Sequence, residues 1–161
     1  MISFGLVISI LVVFLALLTI YLGVKIVPQS KVFVIERFGR YHRTLNAGLS
    51  LIIPYLDSVA HRIDILERQL ESQRISVITR DNVEVELETS VFYRVIDASR
   101  SVYRISNIDQ ALTTETAAVV RSAAGKLELD ELQSSRDKMN AEIASTLSPS
   151  ADEWGINITR T

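Results

Sequence analysis

The sequence predicts an α+β domain, in which an antiparallel-rich sheet packs with helices, preceded by an N-terminal transmembrane helix. Three observations support this prediction: a long uncharged run at the N-terminus, a strictly alternating segment near residue 90, and helical apolar spacing after Asp97. The chain has 161 residues, 17 basic and 19 acidic side chains, and no cysteine. This length is typical of one domain, and the slight acidity argues against a nucleic-acid partner.

The N-terminal run carries no charge between Ile2 and Val24. As a helix it would extend over roughly 34 Å, which is enough to cross a hydrocarbon core of about 30 Å. A cleaved signal peptide would have a basic start, a shorter apolar stretch and a small-residue cleavage site, and the sequence has none of these. We therefore predict a retained single-pass anchor over residues 1–24, followed by a domain over residues 25–161. The representative anchor side chains are Ile2, Leu11, Phe14, Leu18 and Val24.

Basic residues dominate the segment that follows the anchor, which contains five cations and one acidic residue, Glu36. These cations are Lys25, Lys31, Arg37, Arg40 and Arg43. The positive-inside rule predicts that the C-terminal side is cytoplasmic. The same cations either contact anionic lipid headgroups or act only as a topology signal.

The first elements of the domain are a strand over residues 32–35 and a turn over residues 37–41. Residues 45–57 then form an apolar segment that is too short to span a bilayer and that ends near Pro54. This segment either dips into the membrane interface or forms a buried loop or a short core strand.

Two further short strands, around residues 63–65 and 75–79, lead to a hairpin turn at residues 80–82. Residues 83–95 alternate between apolar and polar side chains, which predicts one long strand with one buried face. The opposite face begins with Glu84, Glu86 and Glu88, whose carboxylates would lie about 7 Å apart on the same side. Such a strip is typical of a solvated face rather than a catalytic or metal cluster. Beside a neighbour's basic residue it would favour assembly.

Helical patterns follow this strand. We predict a short helix over residues 97–104, a helix from the N-cap Asn107 to Ala124 that ends at Gly125, and a helix that opens with a Ser134–Asp137 capping box. The apolar stripe of the second helix is predicted to be Ile108, Leu112, Ala118, Val119 and Ala123. The third helix is expected to place Met139, Ile143 and Leu147 on one side and to end at residues 148–150. Residues 154–160 then alternate like a last strand.

Catalytic motifs are missing from the sequence, which has no nucleotide-binding glycine loop, no nucleophile elbow and no zinc-protease helix. His61 alone, in a strand context, is typical of a structural residue. We therefore predict no enzyme activity, no cofactor and no metal.

Six stretches in the same order resemble the SPFH or Band 7 family of stomatins, prohibitins and flotillins. They are residues 25–29 (KIVPQ), 36–41 (ERFGRY), 48–57 with Pro54 and Asp57, 81–83 with 93–97 (DNV, YRVID), 129–132 with Arg136 (LDEL), and 154–156 (WGI). The likeness is greatest to bacterial stomatin-like proteins of the paraslipin or QmcA type. The chain departs from the family at Ala47, where proline is common, and it ends before the coiled-coil helix that relatives carry.

The resemblance implies a non-enzymatic membrane scaffold that forms homo-oligomers, organises lipid microdomains and regulates FtsH-type membrane proteases or works with NfeD-type proteins. It implies a bacterial inner-membrane location and lipid as a partner. It also implies that the apolar segment contacts the bilayer through Leu49, Leu51, Ile52, Ile53, Pro54 and Tyr55. We expect the strip of three glutamates to contribute to the oligomer interface. The alternative is a membrane-tethered binding module that regulates a protease or an NfeD-type partner without assembling.

Overall fold

A computed structural model describes residues 4–161 of the chain. The residues divide into two compact units: the N-terminal unit ends at Asp64, and the C-terminal unit begins at Ile65. Antiparallel strand pairs occur in both units, and helices pack on strands in the second. The predicted α+β class is therefore confirmed.

Helix α1, Phe4–Gly23, opens the N-terminal unit. Its segment Gly5–Gly23 is long and apolar enough to cross a membrane, at roughly 28 Å of helix. The predicted anchor residues Leu11, Phe14 and Leu18 lie on this helix with exposed side chains, whereas Ile2 falls outside the described residues. Val24 was expected in the anchor but is the first residue of a strand. The helix stops one residue earlier because the Gly23 carbonyl accepts a hydrogen bond from Ile52 N at 2.8 Å, which draws the following chain into strand pairing.

Two small sheets complete the N-terminal unit. Strand β1 (Val24–Val27) pairs antiparallel with β4 (Gly48–Leu51). Strand β2 (Lys31–Arg37) lies between β3 (Arg40–Leu45) and β5 (Asp57–Asp64). The predicted strand and turn at residues 32–41 are confirmed, since Phe38 and Gly39 both have positive φ, as the tight hairpin turn requires. The core of this unit comprises Val27, Phe33, Ile35, Leu45 and Ile52.

The C-terminal unit contains five strands in two sheets. Strands β7 (Gln73–Ile78) and β8 (Glu84–Thr89) form a hairpin. Its turn is the predicted one, closed by a 2.9 Å hydrogen bond from Thr79 N to the Val83 carbonyl. Strand β9 (Phe92–Val95) lies between β6 (Arg68–Gln69) and β10 (Ile156–Arg160).

The long strand predicted over residues 83–95 is divided into β8 and β9. The predicted alternation is present, with Val91, Tyr93 and Val95 buried and Glu84, Glu86 and Glu88 exposed. The division arises because β8 pairs with β7 while β9 pairs with β6 and β10, so the chain changes partners around Ser90. Periodicity reports which face is buried, but it does not report which strand pairs with which.

Four helices follow in the C-terminal unit: α2 (Ala98–Tyr103), α3 (Ile108–Ala124), α4 (Leu129–Ser134) and α5 (Arg136–Glu153). The Asn107 side chain accepts from Gln110 N at 3.1 Å, as expected of the predicted N-cap, and Gly125 follows the last helical residue. The core of the unit forms where α3, α4 and α5 pack on β7. Its buried members are Ile75, Val77, Val120, Ala124, Leu132, Ile143 and Leu147.

Three helix details differ from the sequence predictions. The buried stripe of α3 is Leu112, Thr116, Val120, Ala123 and Ala124. Leu112 and Ala123 are confirmed, whereas Ile108, Ala118 and Val119 are not buried, because the buried face is rotated toward β7. The capping box joins Glu128 and Glu131 at the start of α4, so the one predicted at Ser134 is wrong. Helix α5 continues through Pro149 to Glu153 instead of ending at residues 148–150 as predicted. Pro149 and Ser145 are both exposed, so water is available to the carbonyl that loses its amide donor.

Candidate functional site

The candidate site is an apolar face of the β1–β4 ribbon that begins where α1 ends. In the antiparallel register Val24 lies opposite Leu51 and Ile26 lies opposite Leu49, so these four side chains share one face. Their exposed fractions are 36% for Val24, 75% for Ile26, 77% for Leu49 and 62% for Leu51. The other face carries Val27, which is buried in the core. The ribbon therefore presents an apolar face that the unit itself does not cover.

A turn over residues 52–56 extends this apolar surface at the end of the ribbon nearest α1. Ile53 and Tyr55 are exposed, and Leu56 N and Asp57 N both donate to the Ile53 carbonyl, at 3.1 and 2.8 Å. The turn thus presents apolar side chains, and the Ile53, Leu56 and Asp57 amides that shape it are hydrogen-bonded. A contiguous exposed apolar patch beside a candidate membrane span is typical of a surface that contacts a membrane or a partner.

An ion pair holds the end of this turn. Asp57 is buried and accepts from Arg37 Nε at 2.7 Å, from Arg37 Nη2 at 3.1 Å and from Ile53 N at 3.1 Å. The hydrogen bonds from Arg37 and Ile53 lower the pKa of Asp57 to about 2. The carboxylate stays charged at neutral pH and connects the turn to the central strand β2.

The junction between α1 and the turn depends on a glycine. A Cβ on Gly23 would lie 2.6 Å from the Ile52 carbonyl oxygen, a distance that real Cβ atoms do not adopt. The 2.8 Å hydrogen bond from Ile52 N to Gly23 O lies at this close approach. Gly23 therefore allows the helix end and the apolar turn to pack directly on each other.

The structure distributes the predicted membrane-surface residues between surface and core. Leu49, Leu51, Ile53 and Tyr55 are exposed, and Pro54 is half-buried. Ile52 was predicted with them, but it is 5% exposed and packs in the core of the N-terminal unit. We correct its assignment to a core residue, because its backbone bond to Gly23 places it on the inner side of the ribbon.

The five predicted headgroup cations also fall into different environments. Lys31 lies opposite Asp64, at the end of β2 remote from the apolar turn. Arg37 is engaged by Asp57, and the guanidinium of Arg43 donates to the Leu51 carbonyl. Lys25 lies on the inner side of β1, and Arg40 is exposed at the β2–β3 hairpin. The sequence does not reveal these separate environments.

Two exposed apolar residues of this surface were missed by the sequence analysis. Ile26 continues the outer face of β1, a feature that the alternation in residues 24–27 signals. Phe38 is 80% exposed, with φ at 51°, at the tip of the β2–β3 hairpin. Since Arg37 lies opposite Asp57, this tip is at the same end of the unit as the apolar turn. The Phe-Gly pair after a strand was the available signal.

The predicted acidic strip lies in the C-terminal unit. Glu84, Glu86 and Glu88 are exposed along β8, where Glu88 lies opposite Arg74 and accepts from Ser72 Oγ at 2.6 Å. Glu86 and Glu88 border a cleft of about 620 Å³ whose other wall includes Arg136 and Arg160. Basic side chains of the chain itself therefore lie across a cleft from two of the three glutamates.

Among residues 4–161 no group of three or more histidine, cysteine, aspartate or glutamate side chains could hold a metal ion. His61 lies exposed on β5.

Comparison with known proteins gives matches over most of the chain. The family model described as SPFH domain / Band 7 family matches residues 25–161. An uncharacterised protein of Mycobacterium tuberculosis is 33% identical over 97% of this chain and 41% of its own length. An uncharacterised protein of Methanothermobacter thermautotrophicus is 30% identical over 96% of the chain and 48% of its own length. Human mitochondrial stomatin-like protein 2 is 34% identical over 85% of the chain and 38% of its own length. The chain thus spans less than half the length of these curated relatives.

Proposed function

Because the chain belongs to the SPFH domain / Band 7 family, we propose that it is a membrane-anchored scaffold domain rather than an enzyme. Helix α1 spans the bilayer, and the outer face of the β1–β4 ribbon lies on the surface of the same membrane. The C-terminal side is cytoplasmic, and the membrane is the bacterial inner membrane. The observation that carries this proposal is the exposed apolar ribbon that follows the candidate span directly.

The ribbon offers enough apolar surface to hold its position. Fully burying one aliphatic side chain contributes about 1.5–3 kcal/mol. The exposed fractions of Ile26, Leu49 and Leu51 are 75%, 77% and 62%. If the membrane covered all of this exposed surface, the three side chains together would contribute about 3–6 kcal/mol. Coverage of half that surface would contribute about 2–3 kcal/mol. The covalent link to α1 keeps the ribbon at high effective concentration near the bilayer. About 2–3 kcal/mol of apolar burial is therefore enough to hold the ribbon on the membrane surface.

Amide hydrogen exchange of residues 48–51 in lipid nanodiscs tests the membrane contact. The double variant Leu49→Thr/Leu51→Thr keeps β-propensity but removes most of the apolar surface of β4. We expect its β4 amides to exchange about tenfold faster than those of the wild type, which corresponds to about 1.4 kcal/mol. Ile78→Thr is the matched control, because Ile78 is also an exposed strand residue but belongs to the C-terminal unit. Equal exchange rates in all three proteins would contradict the membrane contact.

We propose further that the domain self-associates through the acidic strip of β8. A triple reversal of Glu84, Glu86 and Glu88 to lysine is expected to reduce the mass of the particle extracted in native nanodiscs, because like charges would then face the neighbour's basic edge. The control carries the same change of charge at three other exposed acids, Glu71, Asp130 and Asp152. An unchanged particle mass in the strip variant would contradict this interface.

The same mass measurement separates assembly from the alternative function. A single-copy particle that carries an equimolar FtsH-type protease or NfeD-type protein would favour a tethered binding module. A large uniform particle without such partners would favour the scaffold. Regulation of a protease and organisation of lipid microdomains remain proposals that follow from the family.

A further inference from the structure

A cavity of about 320 Å³ lies within the N-terminal unit, between the end of α1, the inner side of β1 and strand β5. The side chains that line it are apolar in one part and cationic in another. Leu22, Pro54 and Tyr55 form an apolar part, and Lys25 and Arg62 form a cationic part. The cavity is therefore amphipathic, and it lies where the chain leaves the proposed bilayer.

The two cations are available to a ligand. No acidic side chain among residues 4–161 lies within ion-pair distance of Lys25 or Arg62. The Arg62 guanidinium lies over the ring of Phe33, 5.4 Å from its centroid, which favours an ordered side chain. Asp57 also borders the cavity, but its carboxylate is engaged by Arg37 at 2.7 and 3.1 Å. The lining thus keeps two cations that the unit does not neutralise.

The apolar part connects the cavity to the membrane side. Leu22 belongs to the last turn of α1, and both Leu22 and Tyr55 are exposed. The Tyr55 hydroxyl lies 3.5 Å from Thr19 Oγ1 on α1, so the tyrosine ring lies against the helix. Tyrosine is enriched at membrane interfaces, where its ring meets lipid and its hydroxyl meets water.

We propose that this cavity binds the headgroup phosphate of an anionic phospholipid, with Lys25 and Arg62 as the charge partners and with Leu22 and Tyr55 against the upper acyl chain. The inference rests on the proposed membrane contact of the ribbon. Free phosphate offers the same charge to the two cations, but it offers nothing to the apolar wall. The combination of charge and apolar surface favours the lipid.

Lipid retention tests the proposal on the full chain. The protein is reconstituted in nanodiscs of phosphatidylcholine with a minority of phosphatidylglycerol, extracted in mild detergent, and analysed for bound lipid by native mass spectrometry. We expect phosphatidylglycerol to be enriched about tenfold over its share in the disc, since each cation near the membrane surface favours an anionic lipid. Lys25→Gln/Arg62→Gln is expected to abolish this enrichment. The matched control Lys31→Gln/Arg40→Gln removes the same charge from exposed positions outside the cavity and is expected to retain it.

Each other outcome would contradict the proposed lipid site. Equal loss of phosphatidylglycerol enrichment in both double variants would mean that surface charge attracts headgroups without a specific site. Unchanged enrichment in Lys25→Gln/Arg62→Gln would exclude these two cations as the lipid-binding residues. Displacement of phosphatidylglycerol by millimolar inorganic phosphate would identify free phosphate as the ligand. The β4 exchange measurement does not depend on lipid charge. It therefore separates failure of this site from failure of the membrane contact itself.

Discussion

Substitution of Gly155 is expected to be among the most damaging changes in the C-terminal unit. Gly155 precedes β10 with φ at 71°, and its carbonyl accepts from Ile96 N and Asp97 N, both at 2.9 Å. A Cβ at this position would lie 2.5 Å from the Asp97 carbonyl oxygen and 2.8 Å from the Arg100 Cβ. The left-handed backbone costs alanine about 1–2 kcal/mol. The overlap with backbone adds about 1–3 kcal/mol.

The Gly155→Ala variant should therefore lose about 2–5 kcal/mol of unfolding free energy. With a urea dependence of about 1.5–2 kcal/mol per molar, the unfolding midpoint should fall by about 1–3 M. The intrinsic fluorescence of Trp154, the single tryptophan of the chain, reports unfolding next to the site. The measurement is made on the full chain in detergent micelles.

Two further variants separate overlap from backbone strain. Asparagine tolerates the left-handed conformation but carries a Cβ, so Gly155→Asn should be nearly as damaging as Gly155→Ala. Gly125→Ala is the control, because Gly125 has a helical φ of −65° and its nearest neighbour atom would lie 3.1 Å from the new Cβ. A midpoint for Gly155→Asn close to that of the wild type would refute the reasoning from overlap.

Three further predictions concern other contacts. Gly23→Ala should expose the turn after β4 and raise the rate of proteolysis there severalfold. Gly5→Ala is the control, because a Cβ at Gly5 would meet nothing within 4 Å. Equal cleavage patterns in the two variants would contradict the close packing of the helix end on the turn. The folded-state pKa of Asp57 is lowered from 3.8 to about 2, so its stabilising contribution is present above pH 4 and is lost between about pH 4 and 2. The difference in stability between the wild type and Asp57→Asn should shrink over that window in acid titrations followed by circular dichroism. Tyr93→Phe should lower the unfolding free energy by about 1–2 kcal/mol in urea titrations, because the buried Tyr93 hydroxyl donates a hydrogen bond to Asp109. An unchanged unfolding free energy would mean that this hydrogen bond is not formed in solution.

Local sequence signals predicted much of the fold. The uncharged run predicted α1, and the Asn107 cap and Gly125 bounded α3 within the chain. Alternation around Tyr93 correctly identified the buried face of β9. These signals depend on neighbouring residues and on the periods of helices and strands, so they are readable without tertiary structure.

Features set by long-range pairing could not be predicted. Residues 51–53 are uniformly apolar in sequence, yet the hydrogen bond to Gly23 puts Ile52 inside while its neighbours stay outside. The pairing of Arg37 with Asp57 joins residues 20 positions apart, and it follows from the register of β2 on β5. The division of the long strand depends in the same way on its choice of partners. Register is therefore the main quantity that single-sequence patterns leave open.

The contact of the ribbon with the bilayer can be tested most directly by fluorescence depth measurement. The chain has no cysteine, so single cysteines at Leu49, Leu51 and Gln29 can each carry an environment-sensitive dye without background labelling. Gln29 is exposed beyond the far end of β1 and serves as the aqueous reference. Quenching by lipids brominated at shallow acyl positions should be strong at positions 49 and 51 and weak at 29. Equal weak quenching at all three positions would contradict the proposed membrane face.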